Sequence, residues 1–168
     1  PKSGLYMVPA ASYHYKVYAN EASFQSQLLD VAGYHQLSRA YLKTLTELQG
    51  SKPFPGSYTD QKAVYHGARV DAEYDYTASS YNLDHGAVLW TLVEHYWLTR
   101  DHAWLRSVAP GMKRAADWIT AQRKLTQVTA SGRPCPEHGL LPGGHLEDNS
   151  DWGHWFSVNA YASLGFTE

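Results

Sequence analysis

Apolar positions recur at helical spacing in several stretches of the chain. Phe24, Leu28, Leu29 and Ala32 share one face of a helix over 20–32, and Gly33 ends the run. Over 35–49 the signal repeats with Leu37, Ala40, Tyr41, Leu45 and Leu48, until Gly50 and the Pro53, Pro55, Gly56 cluster stop it. These two helices read as an αα-hairpin. Between 84 and 99 the apolar residues Ala87, Val88, Leu89, Trp90, Leu92, Val93, Tyr96 and Trp97 cover most of the helix circumference, which predicts burial on nearly all sides. The stripe that follows is narrower: Trp104, Leu105, Val108, Met112, Ala115, Ala116 and Ile119, with Arg106, Lys113 and Arg114 turned away from it. Pro110 predicts a break at Ala109 and a fresh first turn, where its missing N–H does no harm. A last helical pattern over 154–164 is cut off by Gly165.

The pattern predicts an all-α chain, a single domain over 1–168, in which buried and half-exposed helices alternate. Hairpin one covers 20–49, hairpin two 84–123, and a third begins at 154–164. Alternation of this kind suits a toroid, an inner ring of helices wrapped by an outer one. The connectors 50–82 and 124–152 are long for a compact domain, and weak hairpin-turn signals at 63–70 and 128–132 give them room for short strands. The polar and aromatic residues concentrate before the inner helices: Tyr13 to Tyr18 and Asn20, then Asp71 to Tyr76 with Asn82, Asp84 and His85, then 137–155. Functional groups gather on loops held by a rigid scaffold, so these stretches are the candidate site.

Composition narrows the partners. A net charge of -2, from 14 basic and 16 acidic residues without a basic run, argues against nucleic acid and against an anionic membrane surface. Cys135 is the single cysteine, so neither an internal disulfide nor a thiolate metal cage is expected. No apolar stretch approaches the roughly 20 residues of a membrane span, and the start carries no signal-peptide layout. The absence of Met at position 1 leads us to expect a fragment or a processed chain. Against this plain background stand 13 Tyr, 6 Trp and nine His. Aromatic faces suit the axial C–H groups of sugar rings, and they also suit an ordinary core.

At three positions, in order, the chain resembles the glucoamylase-like, six-hairpin glycosidase superfamily. Val17-Tyr18-Ala19-Asn20-Glu21-Ala22 keeps the spacing of the family's Trp-x-Arg-Asp-x-Ala helix start but lacks its Arg and Asp. Asn82-Leu83-Asp84-His85-Gly86-Ala87-Val88-Leu89 resembles the Asp-Gly-x-x-Leu start of the next inner helix, with Ala116-Asp117-Trp118-Ile119 closing the outer one. Leu146-Glu147-Asp148, followed by Trp152-Gly153-His154-Trp155-Phe156-Ser157, resembles the segment that carries the general acid, and Glu147 fits that acid best. The resemblance implies an (α/α)6 barrel of which about two and a half hairpins are present. It further implies O-glycosyl hydrolysis of an oligosaccharide or polysaccharide, a second carboxylate beyond Glu168, the remainder of the barrel as partner, and a secreted or periplasmic setting.

Glycosidic cleavage uses one protonated carboxyl and one carboxylate acting as base or nucleophile. Like-charged Asp148 and Asp151 and the rings of Trp152 or Trp155 would raise the Glu147 pKa; the alternative is a solvated loop carboxylate. Asp151 reads foremost as the N-cap of the third inner helix, and Asp84 as a cap, a substrate contact, or both. Tyr18, Asn20, Asp84, His85, Asp148, Trp152 and Trp155 are the candidate substrate-binding residues, with core packing as the alternative for the aromatic ones. Trp90, Trp97, Trp104 and Trp118 read as core. His138, His145 and His154 match no compact metal-ligand spacing, and Gly139 to Gly144 is a turn without the Lys-Ser/Thr of a phosphate loop, so no metal and no cofactor is expected. Two rival readings remain open: a sugar epimerase or polysaccharide lyase on the same architecture, and a non-catalytic carbohydrate-binding protein.

Overall fold

A computed structural model describes residues 16–69, 81–127, 129–130, 133–146 and 151–167. Among them the chain is mostly helical. In order it forms β1 (Lys16–Val17), α1 (Ala19–Val31), α2 (His35–Glu47), β2 (Ala68–Arg69), α3 (Asp84–Thr99), α4 (His102–Leu125), β3 (Thr129–Ala130), β4 (Arg133–Pro134) and α5 (Phe156–Thr167), with a 3-10 turn at Gln61–Ala63. The strand signal at 63–70 becomes that turn plus β2, which pairs antiparallel with the distant β1, while β3 and β4 form a local hairpin. No described helix is long and apolar enough to cross a membrane.

α3 is the centre of the packing. Its neighbours α1 and α5 run parallel to it, as the cross-helix contacts show: Asn20 with Asp84, Gln27 with Thr91 and Asp30 with His95 on one side; Gly86 with Tyr161 and Ala162, and Gly165 with Gly86, Leu89 and Trp90, on the other. α2 and α4 return antiparallel on one side of this layer. Trp104 meets His95 near the C-terminal end of α3, and Ala115 and Trp118 meet His85 at its start. α4 begins where Asp101 accepts from Trp104 N–H at 2.9 Å, and it carries Arg123 and Lys124 in its last turn, both favourable to the helix dipole.

Several helices depart from the pattern's expectation. α1 buries Ala19, Ala22, Ser23, Ser26 and Asp30, whereas Leu28 is 69% exposed and Phe24 41%. Small side chains let α1 lie close to its neighbours, and hydrogen bonds replace apolar contact there. Asp30 accepts from Ser38 Oγ at 2.7 Å, His95 Nδ1 at 2.8 Å and His35 Nδ1 at 3.0 Å. Burial raises this carboxyl, but the bonds from His95, His35 and Ser38 outweigh it, so the net shift is downward. Phe24 instead joins Trp90 and Tyr161, with ring centroids 6.5 and 6.1 Å away. Trp90 lies about 140° round α3 from both His85 and His95, so this cluster occupies the face that α2 and α4 leave open.

The early turns of α3 are buried as the pattern predicts, but Trp97 is 42% exposed, capped by the Arg100 guanidinium 4.1 Å from its ring centroid. Pro110 does not break α4, which runs through it. Tertiary support spans the weak point: Gln49 Nε2 donates to Gly111 O at 3.0 Å and Arg114 Nη2 donates to Gln49 Oε1 at 2.8 Å. Gly165 lies inside α5 instead of ending it, and its lack of a side chain suits the close approach of α3, where a Cβ would sit 3.0 Å from Gly86 O and Trp90 N.

Two predictions follow from this packing. A Cβ on Gly86 would lie 2.4 Å from the backbone at Tyr161 and Ala162, so Gly86→Ala should destabilise the chain by about 3 kcal/mol, at the upper end of overpacking costs, measured by urea unfolding. The second concerns His85, which burial pulls down from 6.5 to about 4 against a weaker opposing bond to Ala115 O. A folded pKa below the unfolded one means that its contribution is complete above pH 6.5 and is lost as the pH falls toward 4. Unfolding free energy should therefore drop by about 3 kcal/mol across that window from this group alone. His66, also lowered by burial, acts in the same direction. In His85→Gln the slope should flatten; an unchanged slope would refute the assignment.

Candidate functional site

The parallel arrangement brings the segments before α1, α3 and α5 to one end of the layer. Asn20 N–H, in the first turn of α1, donates to Asp84 Oδ1 at 3.2 Å. Asp84 is the first residue of α3 and is buried, so its carboxylate caps the neighbouring helix across a gap of 64 residues in sequence. Capping was expected of Asp84 within its own helix, where Leu83 takes the N-cap position without a side-chain bond. Just outside, the rings of Tyr18 and Tyr81 lie 5.3 Å apart.

The next wall is Asn82, also buried, whose Nδ2 donates to Pro55 O at 3.1 Å and Tyr58 OH at 3.3 Å. Burial pushes the Tyr58 hydroxyl up to about 12, partly offset by the Asn82 bond, so it stays protonated at neutral pH. Gly144 then ties three segments together. It bridges Gly56 on one side and Gly153 on the other, with the Gly144–Gly153 pair exchanging bonds of 3.0 and 3.1 Å. A side chain here would force its neighbours to shift: a Cβ would lie 2.4 Å from Asn82 Nδ2 and 2.9 Å from Pro55 O. Trp155 Nε1 donates to Gly144 O at 2.9 Å, His154 Nδ1 donates to Leu141 O at 2.8 Å, and Asn159 accepts from Leu141 N–H at 2.8 Å. Together these fix the approach to α5 against the start of α3. Trp152 stands over this platform, 56% exposed, with His145 edge-on at 5.3 Å.

Of the expected site residues, the structure gathers Tyr18, Asn20 and Asp84 at one rim, and the Gly144 bridges link Trp155 to that rim. Trp152 lies at its outer edge. Glu147 and Asp148, like Tyr13, His14, Tyr15 and 71–76, lie outside the described residues. His85 is at the rim in sequence but not in access. Its Nδ1 accepts from Tyr65 N–H at 3.1 Å and its Nε2–H donates to Ala115 O at 3.2 Å, so a buried neutral ring has no nitrogen left for a substrate. Asp151 is exposed and precedes α5 by several residues, so it is not that helix's N-cap. The chain between them is instead held by the Gly144–Gly153 pairing.

Tyr58, Tyr81 and Gly144 belong to the rim although the pattern did not single them out. Gly143-Gly144 offered a signal only as a turn, since the backbone pairing it permits depends on segments far away in sequence. Two acceptors at the rim, Asn20 Oδ1 and Asn82 Oδ1, are buried without a hydrogen-bond partner. Such atoms are costly unless an added donor reaches them. Comparison with known protein families, with curated proteins and with solved structures finds no match to this chain.

The Asn20–Asp84 bond involves a buried carboxylate, for which roughly 1.5–3 kcal/mol is typical. Asp84→Ala should therefore lower unfolding free energy by about 2 kcal/mol, and Asp84→Asn, which keeps an acceptor oxygen, by clearly less. Equal losses in the two variants would show that the acceptor role is not what matters.

Proposed function

We propose that this rim is the sugar-binding mouth of an α/α toroid that hydrolyses a glycosidic bond. The observation that carries the reading is the level, parallel start of α1 and α3, fastened by the Asn20 N–H to Asp84 Oδ1 bond, with the approach to α5 tied to the same place through Gly144. Helices arranged in this way would bring three widely separated loops to one end, as the six-hairpin resemblance requires. The rim also has groups of the kind that sugars use: the exposed Trp152 indole, the half-buried Tyr18 ring, and the amide oxygens of Asn20 and Asn82, which are buried without a donor. The apolar face bearing Phe24, Leu28 and Val31 is open, and in a closed ring the remaining hairpins would cover it.

Glu147 would supply the proton to the leaving oxygen, with the second carboxylate on the complement of the ring. Glycan binding without cleavage is the second reading, favoured by one observation: Asp84, the carboxylate of the rim's innermost layer, is occupied by the helix cap. Proton transfer by His85, one route to an epimerase or lyase, is disfavoured by the occupation of both ring nitrogens.

The test is reducing-end release from a panel of oligosaccharides and aryl glycosides, run alongside calorimetry. Under the hydrolase reading Glu147→Gln lowers kcat by about 10²–10⁴-fold, as loss of a general acid does, with glycan affinity kept within a few fold. Affinity without turnover in the parent protein would favour the binding reading. Absence of both would end the carbohydrate assignment.

A further inference from the structure

Away from the rim, a groove of about 470 Å³ runs between α2 and α4, within the range of small-molecule sites. Its middle is apolar, formed by Leu42, Trp104, Val108 and Pro110. Of the cations along it, Arg39 is held by Asp101 at 2.8 Å and Lys43 by Glu47 at 3.4 Å. Arg114 shows one hydrogen bond, from Nη2 to Gln49 Oε1, so most of its five N–H donors remain for a ligand.

Beneath Arg114 lies Tyr65. Its ring is wholly buried and stacked on His85 at 5.8 Å, and its hydroxyl is buried with no hydrogen-bond partner. A Cβ built on Gly111 would lie 2.9 Å from Gln49 Oε1, 3.2 Å from the Tyr65 hydroxyl and 3.7 Å from Arg114 Nη2. Three polar groups thus converge beside the Gly111 backbone, where any side chain would crowd them. Phenylalanine at position 65 would fill the same space without an unsatisfied hydroxyl, so a hydroxyl here calls for an acceptor from outside. Burial pushes the phenol upward, partly offset by Arg114, and keeps it a donor at neutral pH.

We propose that the α2/α4 groove binds a small organic carboxylate with an apolar body, the carboxylate accepting from the Tyr65 hydroxyl and the Arg114 guanidinium beside Gly111. Arg114, the exposed member, exchanges Gln49 Oε1 for the ligand and so opens the way to the hydroxyl. Gln49 keeps its Nε2 bonds to Ala63 O at 2.8 Å and Gly111 O at 3.0 Å. The apolar body lies along Pro110, Val108 and Trp104. This site is independent of the sugar reading, since it shares no binding residue with the rim.

The test is calorimetric titration of the chain with benzoate, hexanoate and 3-phenylpropionate, with benzamide and inorganic phosphate as controls. At least one acid should bind saturably at one site. Benzamide should bind about tenfold or more weakly, as expected when a charge-assisted bond is lost. Arg114→Gln should weaken the acid by a similar factor, and Tyr65→Phe should weaken it while leaving the melting temperature unchanged or higher. The proposal fails if no acid saturates up to roughly 10 mM, if Tyr65→Phe binds as the parent does, or if phosphate competes equally well. A single water satisfying the hydroxyl would give the first of these results.

Discussion

The hydrogen bond between the first turns of α1 and α3 is the constraint on which the arrangement depends. Asn20 N–H is one of the donors that a helix start leaves without an intrahelical partner, and Asp84 supplies the acceptor from the neighbouring helix. A bond of that kind forms only if the two helices start at the same level. Parallel neighbours that start level cannot be joined by a short turn, so the chain must travel back between them, and α2 and α4 are those return paths. The hairpin architecture and the gathering of loops at one end follow from this one geometric requirement.

The remaining interfaces keep the level by different physical means. Between α1 and α3 the contact is polar and close, with Gln27 bonded to Thr91 and the Asp30 carboxylate shared among His95, His35 and Ser38. Between α3 and α5 it is steric: Gly86 and Gly165 let the backbones meet where any side chain would collide. Both leave apolar surface on the uncovered face, where Phe24, Trp90 and Tyr161 cluster. Phe24 and Leu28 stay exposed there, while Trp90 and Tyr161 are partly buried.

His85 joins two regions that otherwise lie apart. It sits in the first turn of α3, and its ring holds the Tyr65 backbone on one side and the α4 carbonyl of Ala115 on the other. Tyr65 in turn forms the floor of the α2/α4 groove. A ring that reads as a candidate sugar contact in the sequence is therefore a brace, kept neutral by burial, between the rim and the outer helices.

Helical periodicity made the all-α class and the order of the hairpins legible, because both depend on residues three or four apart, and Gly33, at positive φ, marks a helix end where its backbone freedom is favoured. The gathering of polar and aromatic residues before the inner helices likewise pointed to Tyr18, Asn20 and Asp84. Which face of α1 is buried, whether Pro110 breaks α4, whether Gly165 ends α5, and which helix Asp84 caps were all decided in three dimensions. Each of these outcomes depends on partners supplied from another helix, as Gln49 supports Gly111 and α3 crowds Gly165. Local sequence determines where a helix can form; the groups that reach it from distant parts of the chain determine what its side chains do.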